Sequence, residues 1–185
     1  MAVGNLVKRR QDIMRKDAGI NGDAQRIEQM VWMFFLKVYD AAEEDWELDA
    51  MDKGETFKSI IPEELRWRNW APSKDEDGKL KGDFLTAQPL LDFINEKLFR
   101  VLKGEDSLDG SIKGIQVTRE TARHQAVVHD VFQEVNQYMK NGVLLRQMID
   151  EIDAVDLLDS QESHAFGDMY ETLLKDLQAA GHAGG

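Results

Sequence analysis

Apolar residues recur along most of this chain at steps of three and four, the period of a helix packed on one face. After Asp23, which can cap exposed backbone N–H groups, Ile27, Val31, Phe34, Phe35, Val38 and Ala42 form such a stripe. Met30, Trp32, Met33 and Leu36 fill the other faces of its middle, so this segment is expected to be a central helix surrounded by others. Residues 5–16 predict a shorter helix ahead of it, punctuated by Gly19, Asn21 and Gly22. Residues 43–56 read as an acidic, less regular stretch, and Pro62 suits the first position of a short helix with Glu63 and Glu64 in its first turn.

The segment from Pro72 to Gly82 reads as a mobile polar loop. Pro89 can open the regular part of a helix whose stripe is Leu90, Leu91, Ile94, Leu98, Val101 and Leu102, ending near Gly104. Residues 104–117 are glycine-rich, with alternating Ile112, Ile115 and Val117, and predict a loop with a short extended piece. Thr118 is the expected cap of a helix carrying Val128, Val131, Phe132, Val135 and Met139, which Asn141 and Gly142 would end. A further helix carries Leu144, Leu145, Met148, Ile149 and Ile152, and a last one, after Ser163, aligns Phe166, Tyr170, Leu173, Leu174 and Leu177. The expectation is an all-α fold, a helical bundle of about six helices with irregular loops and at most a short extended segment. The domain is expected to span residues 1–180.

Bulk properties narrow the class. With 185 residues, 42% of them hydrophobic, the chain has material for one core. It has no Cys, hence no disulfide or thiolate metal site, in agreement with a reducing cytoplasm. Its longest apolar run, Met30 to Leu36, is far short of a membrane span, so a cytoplasmic protein without membrane contact is expected. The net charge of -12 argues against binding duplex DNA through the overall field. The exception is Lys8, Arg9, Arg10, Arg15 and Lys16, opposed nearby only by Asp12. These five are the DNA-contact candidates, and a solvated helix face is the competing reading. On either reading, replacing Arg9, Arg10 and Arg15 should leave folding nearly unchanged.

Residue chemistry gives no catalytic, cofactor or metal site. A G-x-G glycine turn that would let the backbone approach a bound cofactor is absent, and the prolines at 62, 72 and 89 are never adjacent. His124 and His129 are five apart and turn to different helix faces, whereas a helical metal pair wants an i, i+4 spacing. Glu43, Glu44, Asp45, Glu47 and Asp49 read as a solvated run, and Asp150, Glu151 and Asp153 as exposed carboxylates. Arg66, Trp67, Arg68, Asn69 and Trp70 interleave base-stacking and phosphate-binding types, but tryptophans beside a loop more often anchor it to the core with Arg stacked on their faces.

Separated segments carry a resemblance. Gly19-Ile20-Asn21 leads into Ile27-Glu28-Gln29 and then Val31 to Lys37, ending Phe35-Leu36-Lys37; Gly82-Asp83 precedes Phe93-Ile94-Asn95 and Leu98-Phe99; Gly167-Asp168 leads to Tyr170-Glu171 and Leu173-Leu174. In this order the chain resembles the N-terminal region of the methylation subunit of bacterial type I restriction-modification systems, with Phe35, Leu36, Lys37, Gly167, Asp168, Tyr170 and Glu171 as its markers. The resemblance implies a parent that transfers a methyl group from S-adenosylmethionine to adenine N6. Its implied partners are a specificity subunit, a second methylation subunit, a restriction subunit and double-stranded DNA. The chain itself would be an assembly and DNA-clamping domain without cofactor, with residues 181–185 beginning a linker to an absent methyltransferase domain. The acidic charge also fits a different class, a stand-alone helical interaction protein such as an adaptor or DNA mimic.

Overall fold

The computed structural model describes residues 3–157, with side chains from Lys8 onward. Its helices are α1 (Val3–Arg15), α2 (Gly22–Asp52), α3 (Trp67–Trp70), α4 (Ala87–Asp92), α5 (Phe99–Leu102), α6 (Arg123–Glu134) and α7 (Gly142–Asp153). A 3-10 turn, Glu63–Leu65, precedes α3, and a π-helical segment, Phe93–Leu98, joins α4 to α5 without a break. Counting that continuous rod once leaves six helices among the described residues, in line with the all-α expectation. The only β pairing there is an isolated bridge between Lys74 and Leu80. No helix among them is long and apolar enough to cross a membrane. Residues 163–177 and the Gly167-Asp168-Tyr170-Glu171 marker lie outside the described residues.

α2 is the core helix that the stripe predicts. Every residue from Met30 to Leu36 is buried, ringed by α3, α6 and α7. Trp32 meets the edge of Phe99 at 5.0 Å between ring centroids, and Phe99 meets Phe132 at 5.1 Å. Leu98 and Phe99 both face inward, at the wider π turn. The acidic stretch is more regular than expected, because α2 runs unbroken to Asp52.

Other expectations change at caps and loops, where side chains take up backbone donors. Thr118 caps no helix; it closes a turn with Thr121, and α6 starts only after Ala122. α6 stops at Glu134 rather than near Asn141, and residues 135–141 form no helix, extended at Val135 and Asn141, with Val135 and Met139 buried. Their backbone donors are taken by side chains: Gln29 accepts Tyr138 N–H at 2.9 Å, and the buried Asp17 carboxylate accepts Lys140 and Asn141 N–H at 3.0 and 2.9 Å. A Cβ on Gly19 would lie 2.0 Å from the Tyr138 carbonyl, so this close approach needs glycine. The Pro72–Gly82 segment folds into a tight turn, in which the Asp75 carboxylate accepts Asp77 and Lys79 N–H.

Asn141 opens α7 instead of closing α6. Its side chain accepts Val143 and Leu144 N–H at 3.0 and 3.1 Å, satisfying donors that the first helical turn leaves orphaned. Asn141→Ala should therefore cost about 1 kcal/mol. A thermal midpoint followed by circular dichroism should drop by about 2–4 °C; no drop would show that water replaces the cap.

Candidate functional site

α1 lies against α7, and helical phase divides the four cations it carries and Lys16, which follows its last residue. Arg10 sits roughly 160° around the helix from Lys8, on the face of Met14. It is buried, donates from Nη2 to the Glu151 carbonyl at 2.8 Å and lies 5.6 Å above the Phe34 ring. Burial lowers its guanidinium to about 10, against the pull of Glu151. Arg10 is thus a packing residue, and the expectation that its loss leaves folding unchanged is corrected. Lys8, Arg9, Arg15 and Lys16 are exposed. Arg9 Nε pairs with Glu151 at 3.1 Å and Arg15 Nη1 with Asp12 at 3.6 Å; Lys8 and Lys16 form no ion pair among the described residues.

The second cluster joins α2 to α3. Arg68 Nε donates to Asp40 Oδ1 at 2.9 Å and its Nη1 to Glu47 Oε2 at 3.1 Å. Arg66 Nη2 reaches Glu47 Oε1 at 2.5 Å, its Nη1 reaches Glu63 at 3.3 Å, and its Nε stands 3.8 Å from Glu43 Oε1. The acidic run is therefore not simply solvated, for Asp40 and Glu43 are buried while Glu44, Asp45 and Asp49 face water. Burial pushes the Asp40 and Glu43 carboxyls up, opposed at Asp40 by Arg68 and at Glu43 by Ser59 and then Arg66. Glu47, which partial burial alone would raise, is held low by its bonds to Arg66 and Arg68.

This network decides the reading of Arg66 to Trp70. Both indoles are buried, 5.2 Å apart, with Trp67 Nε1 on Asp153 and Trp70 Nε1 on the Leu65 carbonyl. The tryptophans anchor α3 as expected, but their arginines meet carboxylates of α2 instead of stacking on the rings. Lys37 donates to the Asp153 carbonyl at 3.0 Å, so Phe35-Leu36-Lys37 is two core residues followed by a tie to α7. The carboxylates of α7 are likewise in use: Asp150 accepts Arg146 Nε at 3.0 Å and the Ser73 hydroxyl at 2.8 Å.

Among the described residues the two histidines stand apart. His124 rests on Trp46 at 4.4 Å between centroids, whereas His129 lies by Gln133 and Asp130. Among the described residues no group of His, Cys, Asp and Glu is placed to hold a metal ion. Trp46 and His124 belong to an apolar groove between α2 and α6, of about 750 Å³.

Comparison with known proteins places this geometry. Residues 3–152 match the family model described as the HsdM N-terminal domain. Over all 185 residues the chain is 40% identical to the EcoEI methylase subunit of a type I restriction enzyme from Escherichia coli, covering 33% of it. It superposes with TM-score 0.69 on a type I restriction enzyme modification subunit from Vibrio vulnificus YJ016, at 32% identity, over 96% of this chain and 35% of that one. A structure concerned with complex assembly and conformational transition of the type I R-M system matches with TM-score 0.68 and 26% identity, over 95% of this chain and 30% of that one. The chain spans about a third of the length of these relatives.

Proposed function

Since this chain belongs to the family of HsdM N-terminal domains, we propose that it serves as the assembly and DNA-clamping domain of a type I restriction-modification subunit that methylates adenine N6. The observation carrying this reading is the match of the entire chain to one third of a methylase subunit. S-adenosylmethionine and the target adenine would be handled by the part of the relatives that lies outside this match. The partners of the assembly would be the specificity subunit, a second methylation subunit, the restriction subunit and duplex DNA.

Within the clamp, phosphate contact falls to Lys8, Arg9, Arg15 and Lys16. They share one exposed arc running along α1 and onto Lys16 just past its end, whereas Arg10 serves the core. Such contacts fix register on a duplex without reading its sequence. Against a net charge of -12 they give little affinity alone, and partners that hold the domain near DNA raise the effective concentration of this weak contact.

The 185-residue chain should accordingly bind two duplexes of unrelated sequence equally weakly, with log affinity falling by about 0.9 per neutralised phosphate for each tenfold rise in salt. Fluorescence anisotropy over a salt series measures this, and calorimetry should detect no S-adenosylmethionine binding. Sequence-selective binding that survives moderate salt, or micromolar cofactor binding, would overturn the reading.

A further inference from the structure

The α2–α6 groove shares no lining residue with the α1 cations or the ionic cluster beneath α3, and touches that cluster electrostatically through Tyr39, which feels Glu43 and Arg66. Its floor is an aromatic chain: Phe35 stacks on Tyr39 at 5.7 Å, Tyr39 meets Trp46 at 5.5 Å, and Trp46 carries His124. Val38 and Ala42 are half-buried along α2, and Val127, 37% exposed, faces them from α6. From Phe35 to Trp46 the stripe runs three helical turns, about 16 Å. That length suits the apolar face of one helix laid in the groove, with anchor side chains repeating at three- and four-residue steps.

Charge selects the occupant. Asp45 lies roughly 100° around α2 from Trp46, just outside the stripe beside Val38, and Asp49, about 60° to the same side, stands on the stripe's own line one turn past Trp46 and caps that end with charge. Asp130 lines the opposite wall, and Glu134 follows one turn on. Neither Asp45, Asp49 nor Glu134 forms an ion pair among the described residues, and Asp130 has only His129, at 4.0 Å. Arg123, at the Trp46 end, is the cation that lines the groove. A second copy of this chain, itself at -12, would set acid against acid. Residues 158–185 carry Asp159, Glu162, Asp168, Glu171 and Asp176 against Lys175, so they match no better, and DNA phosphates are repelled likewise.

We infer that the groove between α2 and α6 docks an amphipathic helix of a partner chain whose apolar stripe is flanked by Lys and Arg. This rests on the assembly reading only in that a partner exists. Apolar packing on the aromatic floor supplies affinity, while the acidic rims reject acidic helices and speed encounter with basic ones.

Two labelled synthetic helices of about 18 residues test it, with one leucine stripe between them and either Lys/Arg or Glu flanks. They are titrated against the 185-residue chain by fluorescence anisotropy. The basic peptide should bind at least about tenfold more tightly than the acidic one. Val127→Lys should weaken it about tenfold, whereas Leu80→Lys, the same gain of charge at a leucine 67% exposed and outside the groove, should leave it within about twofold. Circular dichroism confirms that both variants fold. The inference is overturned by equal binding of the two peptides, by no binding of the basic one, by equal weakening in the two variants, or by self-association of the chain that Val127→Lys abolishes. Failure here leaves the DNA and cofactor titrations untouched, and their failure leaves this one intact.

Discussion

Arg66→Ala should cost the domain about 3–5 kcal/mol, the loss typical of breaking a buried ion pair. Arg66 and Glu43 are both nearly inaccessible to water, and the guanidinium also spans Glu47 and the exposed Glu63. The bond to Glu63 adds little, because exposed pairs are screened. The large cost is the Glu43 carboxylate left in the interior without its cation. Glu43→Gln in the Arg66→Ala background should recover a substantial part, since it removes the stranded charge, and a double-mutant cycle by urea denaturation reads the difference.

The pH dependence gives that cycle a sign. The Glu43 and Asp40 carboxyls lie above their ordinary values in the folded state, so the stabilisation each gives is complete below the ordinary carboxylate range and is lost as pH rises through the raised value. Removing Arg66 takes away a cation that opposes the rise in both, and the window of loss moves to higher pH. The stability gap between parent and Arg66→Ala should therefore narrow as the solution is acidified from neutrality. A gap independent of pH would mean that Glu43 is not what the substitution strands.

The ionic cluster separates what the sequence makes legible from what charge alone conceals. Met33, Leu36, Asp40, Glu43 and Glu47 follow one another at steps of three and four, so the acids continue the inward stripe of α2. Reading residues 43–56 by charge hides that phase, which predicts both the full length of the helix and the burial of Glu43. Grouping Arg10 with the other cations of α1 fails for the same reason, because its spacing from Lys8 sets it on the Met14 face. The core helix and the tryptophan anchor are legible because periodicity and side-chain type agree there. The break of α6 after Glu134 is not, because it depends on Asp17 and Gln29 reaching the backbone across more than a hundred residues, and no local pattern encodes that. The groove is half legible: the α2 stripe is in the sequence, but that α6 leaves Val38 and Ala42 half-covered is a fact of packing.

The two faces of α1 should separate in one set of variants. Arg10→Ala removes a buried side chain, empties the space over Phe34 and leaves the Glu151 carbonyl without its donor, so about 2–4 kcal/mol of stability should be lost. Lys8, Arg15 and Lys16 are exposed, and the Arg15–Asp12 pair is accessible on both sides, so each change to Ala should shift stability by only about ±0.5 kcal/mol. Arg9 is left in place because its pair with Glu151 couples it to α7. In a complete methylation subunit assembled with its partners, the triple Lys8→Ala, Arg15→Ala, Lys16→Ala variant should fold and assemble as the parent does. Its DNA affinity should fall, and the slope of log affinity against log salt should become shallower by about 0.9 for each phosphate that the variant no longer neutralises. Early melting of the triple variant would make these residues structural. Parental affinity and salt slope in a well-assembled triple variant would reduce the arc to a solvated face and overturn the proposed DNA contact of α1.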